Sequence, residues 1–121
     1  MLNIAPVCTP QYAILPFSDS RILFPPRERF PAWLDSRHGK ILLAAPGSYL
    51  ISYYAAAPLP ASACFLLNGR EIPATYSCGS PVWGSATVFL TEKRGVLQLQ
   101  ADAEFPLHGV LVLALLTKKA A

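Results

Sequence analysis

The sequence has 121 residues, 53% of them hydrophobic and only 14% charged against a usual share of about 25%, with a net charge of +3. That length fits one domain able to bury a core without metal or disulfide staples, and so much apolar surface predicts contact with another chain. The basic residues are scattered, no apolar run nears the ~20 residues of a spanning helix, and the N-terminus lacks the features of a cleaved signal; nucleic-acid binding, membrane insertion and signal-dependent export are therefore not expected.

Pro6, Pro10, Pro16, Pro25, Pro26 and Pro31 leave no room for an ordinary helix in the first third of the chain. Residues 1–10 read as an N-terminal arm, followed by one domain over 11–121. Extended segments are predicted at Tyr12–Leu15, Arg21–Phe24 and Phe30–Leu34. Arg27 and Arg29, close to Trp33, suggest a ligand patch for an acidic sugar or a partner; a rim loop between sheets is the plainer reading. Asp35-Ser-Arg-His38 offers an acid, a hydroxyl and an imidazole. Neighbours in sequence do not make a triad, which is assembled in space, and no nucleophile elbow surrounds the serine.

From Lys40 the pattern becomes strand, turn, strand. Lys40–Ala45 is a short apolar strand and Pro46-Gly47 a turn. Tyr49–Ala55 carries Tyr49, Ile51, Tyr53 and Ala55 on one face and Leu50, Ser52 and Tyr54 on the other, so both faces call for cover. Ala63–Leu67 leads into Asn68-Gly69, a strong hairpin signal because both residues tolerate positive φ. Glu71–Tyr76 returns, weakened by Pro73. Cys78–Pro81 reads as a loop and Val82–Thr91 as a long strand, with Trp83 packed in the core beside Gly84. Val96–Ala103 alternates, with Leu97, Leu99, Ala101 and Ala103 inward. The final strand, Val110–Leu116, has no polar face and is predicted to be central.

Cys8, Cys64 and Cys78 are an odd count, so at most one intrachain disulfide can form. Cys8, in the arm, is the candidate for a bond between subunits. No Cys-x-x-Cys pair exists, and His38 and His108 lie far apart. Asp102 and Glu104 share a strand face without an evident third oxygen ligand for calcium. No Gly-rich phosphate loop is present. No catalytic residue, metal or other cofactor is expected.

About eight to ten evenly spaced strands without a helix predict an all-β sandwich or jelly roll. The runs ILLAAPGSYLISYYAAAP, FLLNGREIPATY, VFLTEKRGVLQLQ and GVLVLALLTK resemble, in order, the C-terminal domain of BclA-type exosporium glycoproteins of spore-forming Firmicutes. Gly47, Tyr49, Ser52, Tyr53, Leu67, Asn68, Gly69, Ile72, Pro73 and Gly95 stand at the family's turn and strand positions, over roughly residues 40–118. The resemblance implies a C1q/TNF-like jelly roll that forms a homotrimer through its apolar inner sheet. Tyr49, Ile51, Tyr53, Val110, Val112, Leu113 and Leu115 are the expected interface. It also implies a structural role on a bacterial spore or cell surface, beside other coat or exosporium proteins. The family's collagen-like Gly-X-Y stalk is missing, and Met1 suggests a complete stalkless relative that could polymerise through its arm. The alternative is a phage or surface adhesin head that recognises a glycan or protein receptor.

Overall fold

The computed structural model describes residues 5–18, 21–92, 94–103 and 106–118. Their strands are β1 (Val7–Cys8), β2 (Tyr12–Ser18), β3 (Arg21–Ile22), β4 (Leu34–Arg37), β5 (Lys40–Leu43) and β6 (Gly47–Ala56). They continue with β7 (Ala61–Leu67), β8 (Arg70–Glu71), β9 (Ser77–Gly79), β10 (Val82–Leu90), β11 (Gly95–Asp102) and β12 (His108–Lys118). Two single 3-10 turns, Arg27–Arg29 and Pro73–Thr75, are the helical elements of the described residues. The first sheet runs β1-β2-β12-β6-β10, with β3 also on β2. The second runs β4-β5-β11-β7-β8, with β9 also on β7. The pairings are antiparallel, and the two sheets form the jelly-roll sandwich that the alternation predicted.

Turn chemistry sets the registers. Asn68 and Gly69 have φ of 53° and 80°, and Leu67 pairs with Arg70 across them. His38 and Gly39 have φ of 52° and 76°, and Arg37 pairs with Lys40. Two left-handed residues in a two-residue loop match the right-handed twist of the flanking strands. This second hairpin carries Asp35-Ser-Arg-His38, of which the first three residues lie on β4 and His38 in the turn. The expected strand Phe30–Leu34 is instead a link from the 3-10 turn into β4. Pro73 ends strand pairing after Glu71 and starts the second 3-10 turn, a position that suits its fixed φ and missing N–H. The expected Cys78–Pro81 loop starts in β9, paired to β7.

Part of the arm folds back on its own domain. Val7 and Cys8 pair with Ile14 and Ala13 of β2, while residues 1–4 lie outside the described residues. The Thr9 amide donates to the Tyr12 carbonyl at 2.8 Å, and the Leu115 amide donates to the Gln11 carbonyl at 2.9 Å. An arm-exchanged filament would require β1 to leave β2.

The core lies between the sheets. Tyr49 packs against Trp33 with ring centroids 5.8 Å apart, and Tyr53 meets Phe65 edge-on at 5.0 Å. Both tyrosines bury their rings and satisfy their hydroxyls on carbonyls. Tyr49 donates to Ala45, and Tyr53 donates to Thr75 at 2.6 Å. Thr75, fully buried, ties this end of the sandwich together. Its hydroxyl donates to the Ile72 carbonyl at 2.7 Å and accepts from the Phe65 amide at 2.9 Å. Thr75→Val keeps the shape and strands the Phe65 amide. It is expected to lower stability by about 1–3 kcal/mol, read as an earlier urea midpoint at unchanged slope.

Burial pushes the Tyr53 phenol up to about 12, with repulsion from Cys64 adding to it. A folded value above the unfolded one (about 10) gives stability that is fully present below about pH 10. That contribution is lost as pH rises toward about 12, because deprotonation is easier in the unfolded chain. The urea midpoint is therefore expected to fall between about pH 10 and 12, and Tyr53→Phe to flatten that fall.

Candidate functional site

The outward side of the first sheet is built by alternation. On β6, Tyr49, Ile51, Tyr53 and Ala55 point into the core, which leaves Leu50, Ser52 and Tyr54 outside. On β12, Leu111 and Leu113 point in, and Val110, Val112 and Ala114 point out. On β2, Ala13, Leu15 and Phe17 are inside, with Tyr12 and Ile14 opposite. On β10, Val82, Gly84 and Leu90 are buried, while Trp83, Ser85, Thr87 and Phe89 are exposed.

Register aligns these outward residues into rows across four strands. Ile14, Val112, Ser52 and Ser85 form the middle row. On one side lies the row Val110, Tyr54 and Trp83, with Pro16, already buried in the single chain, next to Val110. On the other lies Tyr12, Ala114, Leu50 and Thr87. Phe89 pairs with Ser48 beyond that row. At the opposite end, His108 Nδ1 and Ser18 Oγ are 2.8 Å apart. No Asp, Glu, Lys or Arg stands in any of the three rows. The second sheet has Asp35, Arg37, Lys40, Gln98, Gln100 and Asp102 at half-buried or exposed positions, the ordinary state of a wet face. Trp83 and Phe89 are 64% and 77% exposed, values at which a large aromatic side chain is unpaid apolar surface within one chain.

Four expected interface residues are corrected by this geometry. Tyr49, Ile51, Tyr53 and Leu113 are at most 3% exposed and belong to the core of the single chain. On β6 the alternation runs in the opposite phase to the one expected, so Leu50, Ser52 and Tyr54 take the outward positions; on β12 the expected set had mixed both phases. Val110 and Val112 lie on the outward face, half-buried. Leu115 packs against the core beside an irregularity between Leu115 and Thr117. Trp83 is also corrected: it points outward, and Gly84 next to it makes room for the Thr75 backbone, which a Cβ would meet at 2.8 Å. Trp83 and Phe89 were missed as site residues. Their place in phase with Ser85 and Thr87 on a strand free of charge was the available signal.

The expected ligand patch does not form as a unit. Trp33 is 3% exposed, and its indole N–H donates to the Pro10 carbonyl at 2.9 Å, as a buried indole requires an acceptor. Arg27 pairs with Asp35 at 3.3 Å, whereas Arg29 lines a separate cleft with Cys8, Phe30 and Leu115. Cys8, Cys64 and Cys78 form no disulfide within the chain. Cys8 is half-buried, and burial pushes its thiol up, away from the thiolate that reacts. Cys64 is buried, with its Sγ 3.3 Å from the Phe65 carbonyl, and Cys78 on β9 is exposed. Asp35 accepts from the Ser36 amide at 2.8 Å, and His38 occupies the hairpin tip. Among the described residues no group of three His, Cys, Asp or Glu side chains converges as a metal site.

No family model matches this chain, and no curated protein matches it. Solved structures do. The crystal structure of GITRL from bushbaby matches with a TM-score of 0.61 and 18% identity, over 89% of this chain and 96% of that one. Rabbit GITRL matches with a TM-score of 0.61 and 13% identity, over 88% and 95%. At such identities the likeness concerns the fold, a TNF-like jelly roll.

Proposed function

We propose that this chain is a non-enzymatic structural protein that assembles as a homotrimer through the outward face of its first sheet. The observation that carries this reading is the set of three aligned rows without a formal charge, one of them ending in exposed Trp83, with exposed Phe89 beyond another. A sheet face meant for water carries charges at alternate positions; this one has the composition of an interface centre. The TNF-like fold supports the same reading, since the heads that the sequence resembles pack this way about a threefold axis. Burial of several hundred apolar Å2 per protomer would contribute on the order of several kcal/mol at about 25 cal/mol per Å2. A place on the surface of a bacterial spore or cell is supported by the resemblance of residues 40–118.

Light scattering on the purified protein tests the assembly. The expected mass is about three times that of the 13.1 kDa chain, unchanged by reductant. A monomer at micromolar concentration would overturn the reading. Antibody labelling of intact spores and cells of the source organism tests the location; signal confined to lysed material would exclude it.

A further inference from the structure

The second sheet carries a different surface. At its β4 edge, Arg37, Leu42, Ala44 and Arg94 line a cleft of about 440 Å3 together with His38, Asp35 and Arg27 from the adjoining 3-10 turn. Three arginines and one histidine thus line it beside a single acidic residue. Arg27–Asp35 is the one ion pair of the described residues, and Asp35 Oδ1 also accepts from the Ser36 amide. Arg37 and Arg94 thus have no carboxylate partner among the described residues. Glu92, two residues before Arg94, accepts instead from Asn68 Nδ2 at 3.3 Å. Glu28, beside Arg27, does not line the cleft. Lys40 pairs with Arg37 in the hairpin but does not line the cleft.

The hairpin turn places one of the lining residues. The two hairpins share one geometry, with left-handed first residues at φ of 52° and 53°. In the β7–β8 hairpin that residue is Asn68, the usual choice for the conformation. In the β4–β5 hairpin it is His38, whose imidazole lines the cleft. Histidine, like asparagine, enters this backbone region more readily than most residues, so His38 serves the turn and lines the cleft at once.

We infer that this cleft is a binding site for an anionic saccharide, one that bears sulfate or carboxylate groups, held by Arg27, Arg37 and Arg94 with His38. Guanidinium groups match such oxyanions with paired hydrogen bonds. The cleft has the volume of a site for a small organic ligand rather than for one inorganic ion. Leu42 and Ala44 add apolar lining that suits the carbon face of a sugar ring. The site belongs to one chain, on the sheet opposite the proposed interface, so it stands whether or not the trimer does.

Titration calorimetry with a heparin-derived tetrasaccharide on the full chain tests it. Binding is expected for the wild type and reduced roughly tenfold or more by Arg37→Ala with Arg94→Ala, both exposed positions. Arg70→Ala, an exposed arginine on β8, is the control and should leave the affinity within about twofold. Inorganic sulfate or phosphate at the same concentration is expected to compete weakly. No binding to the tetrasaccharide overturns the inference. So does an equal loss with Arg70→Ala, which would mean diffuse charge attraction. Full competition by the inorganic ions would also overturn it, since the saccharide would then add nothing. Circular dichroism of each variant confirms that the loss is not unfolding.

Discussion

Val112→Asp is expected to convert the protein into a folded monomer. Val112 stands in the middle row of the outward face, between Ile14 and Ser52, and is half-buried in the single chain. In the monomer its carboxylate reaches water, so the fold loses little. At the centre of an assembled interface the same carboxylate would be desolvated with no cation in any of the three rows to pair it. The penalty there is several kcal/mol per subunit, about a thousandfold or more in the assembly constant. Light scattering reads the mass and circular dichroism the fold. Tyr53→Asp provides the contrast. Tyr53 belongs to the inward face of the neighbouring strand, 3% exposed against Phe65, and its replacement is expected to unfold the chain. A Val112→Asp protein that keeps the wild-type mass would remove the outward face from the assembly.

Gly109→Ala is expected to be more disruptive than the same change at Gly39, Gly69, Gly79, Gly84 or Gly95. Gly109 pairs with Phe17 on one side and Ala55 on the other, in the central strand of the first sheet. A Cβ there would lie 2.7 Å from the Ala55 Cα and would overlap the Tyr54 carbonyl oxygen outright. Both obstacles are backbone in a paired strand, and neither can rotate away. Relief requires separating β12 from β6, so the loss is expected to exceed about 4 kcal/mol or to abolish soluble expression. Gly69→Ala makes the useful comparison. Gly69 has φ of 80°, which strains an alanine, but open space where the methyl would go. That substitution is expected to cost about 1 kcal/mol, measured by urea unfolding.

The strands were legible because alternation and turn chemistry are local. Asn68-Gly69 fixed one hairpin, and the Leu97 and Leu99 pattern marked β11 in advance. The phase of β6 was not legible. With Tyr49, Ile51 and Tyr53 on one face and Leu50, Ser52 and Tyr54 on the other, both faces are apolar enough to be core. The choice is made by what stands across the sandwich: Phe65 for Tyr53 and Trp33 for Tyr49, contacts far apart in sequence. The single serine on the Leu50 face was the one local hint. Trp33 was misread for a related reason. Its arginine neighbours suggested a surface, while the acceptor that allows its burial, the Pro10 carbonyl, comes from a different segment. The arginine cleft was only half visible. Arg27 is local to the turn, but Arg94 reaches the site through the β5–β11 pairing, which no spacing announces.

The place of β12 bears on how the protein is made. It lies between β2 and β6, two strands separated in the chain by the whole second-sheet edge, and it follows every other described strand in order. While the chain is being synthesised, β2 and β6 therefore wait with open edges and apolar faces until residues 108–118 leave the ribosome. The first sheet closes as a late, long-range event, the kind that folds slowly and exposes nascent chains to one another. Polysomes that hold several such chains side by side bring copies of the same unfinished surface together, where a chaperone can shield it or neighbouring chains can cover it.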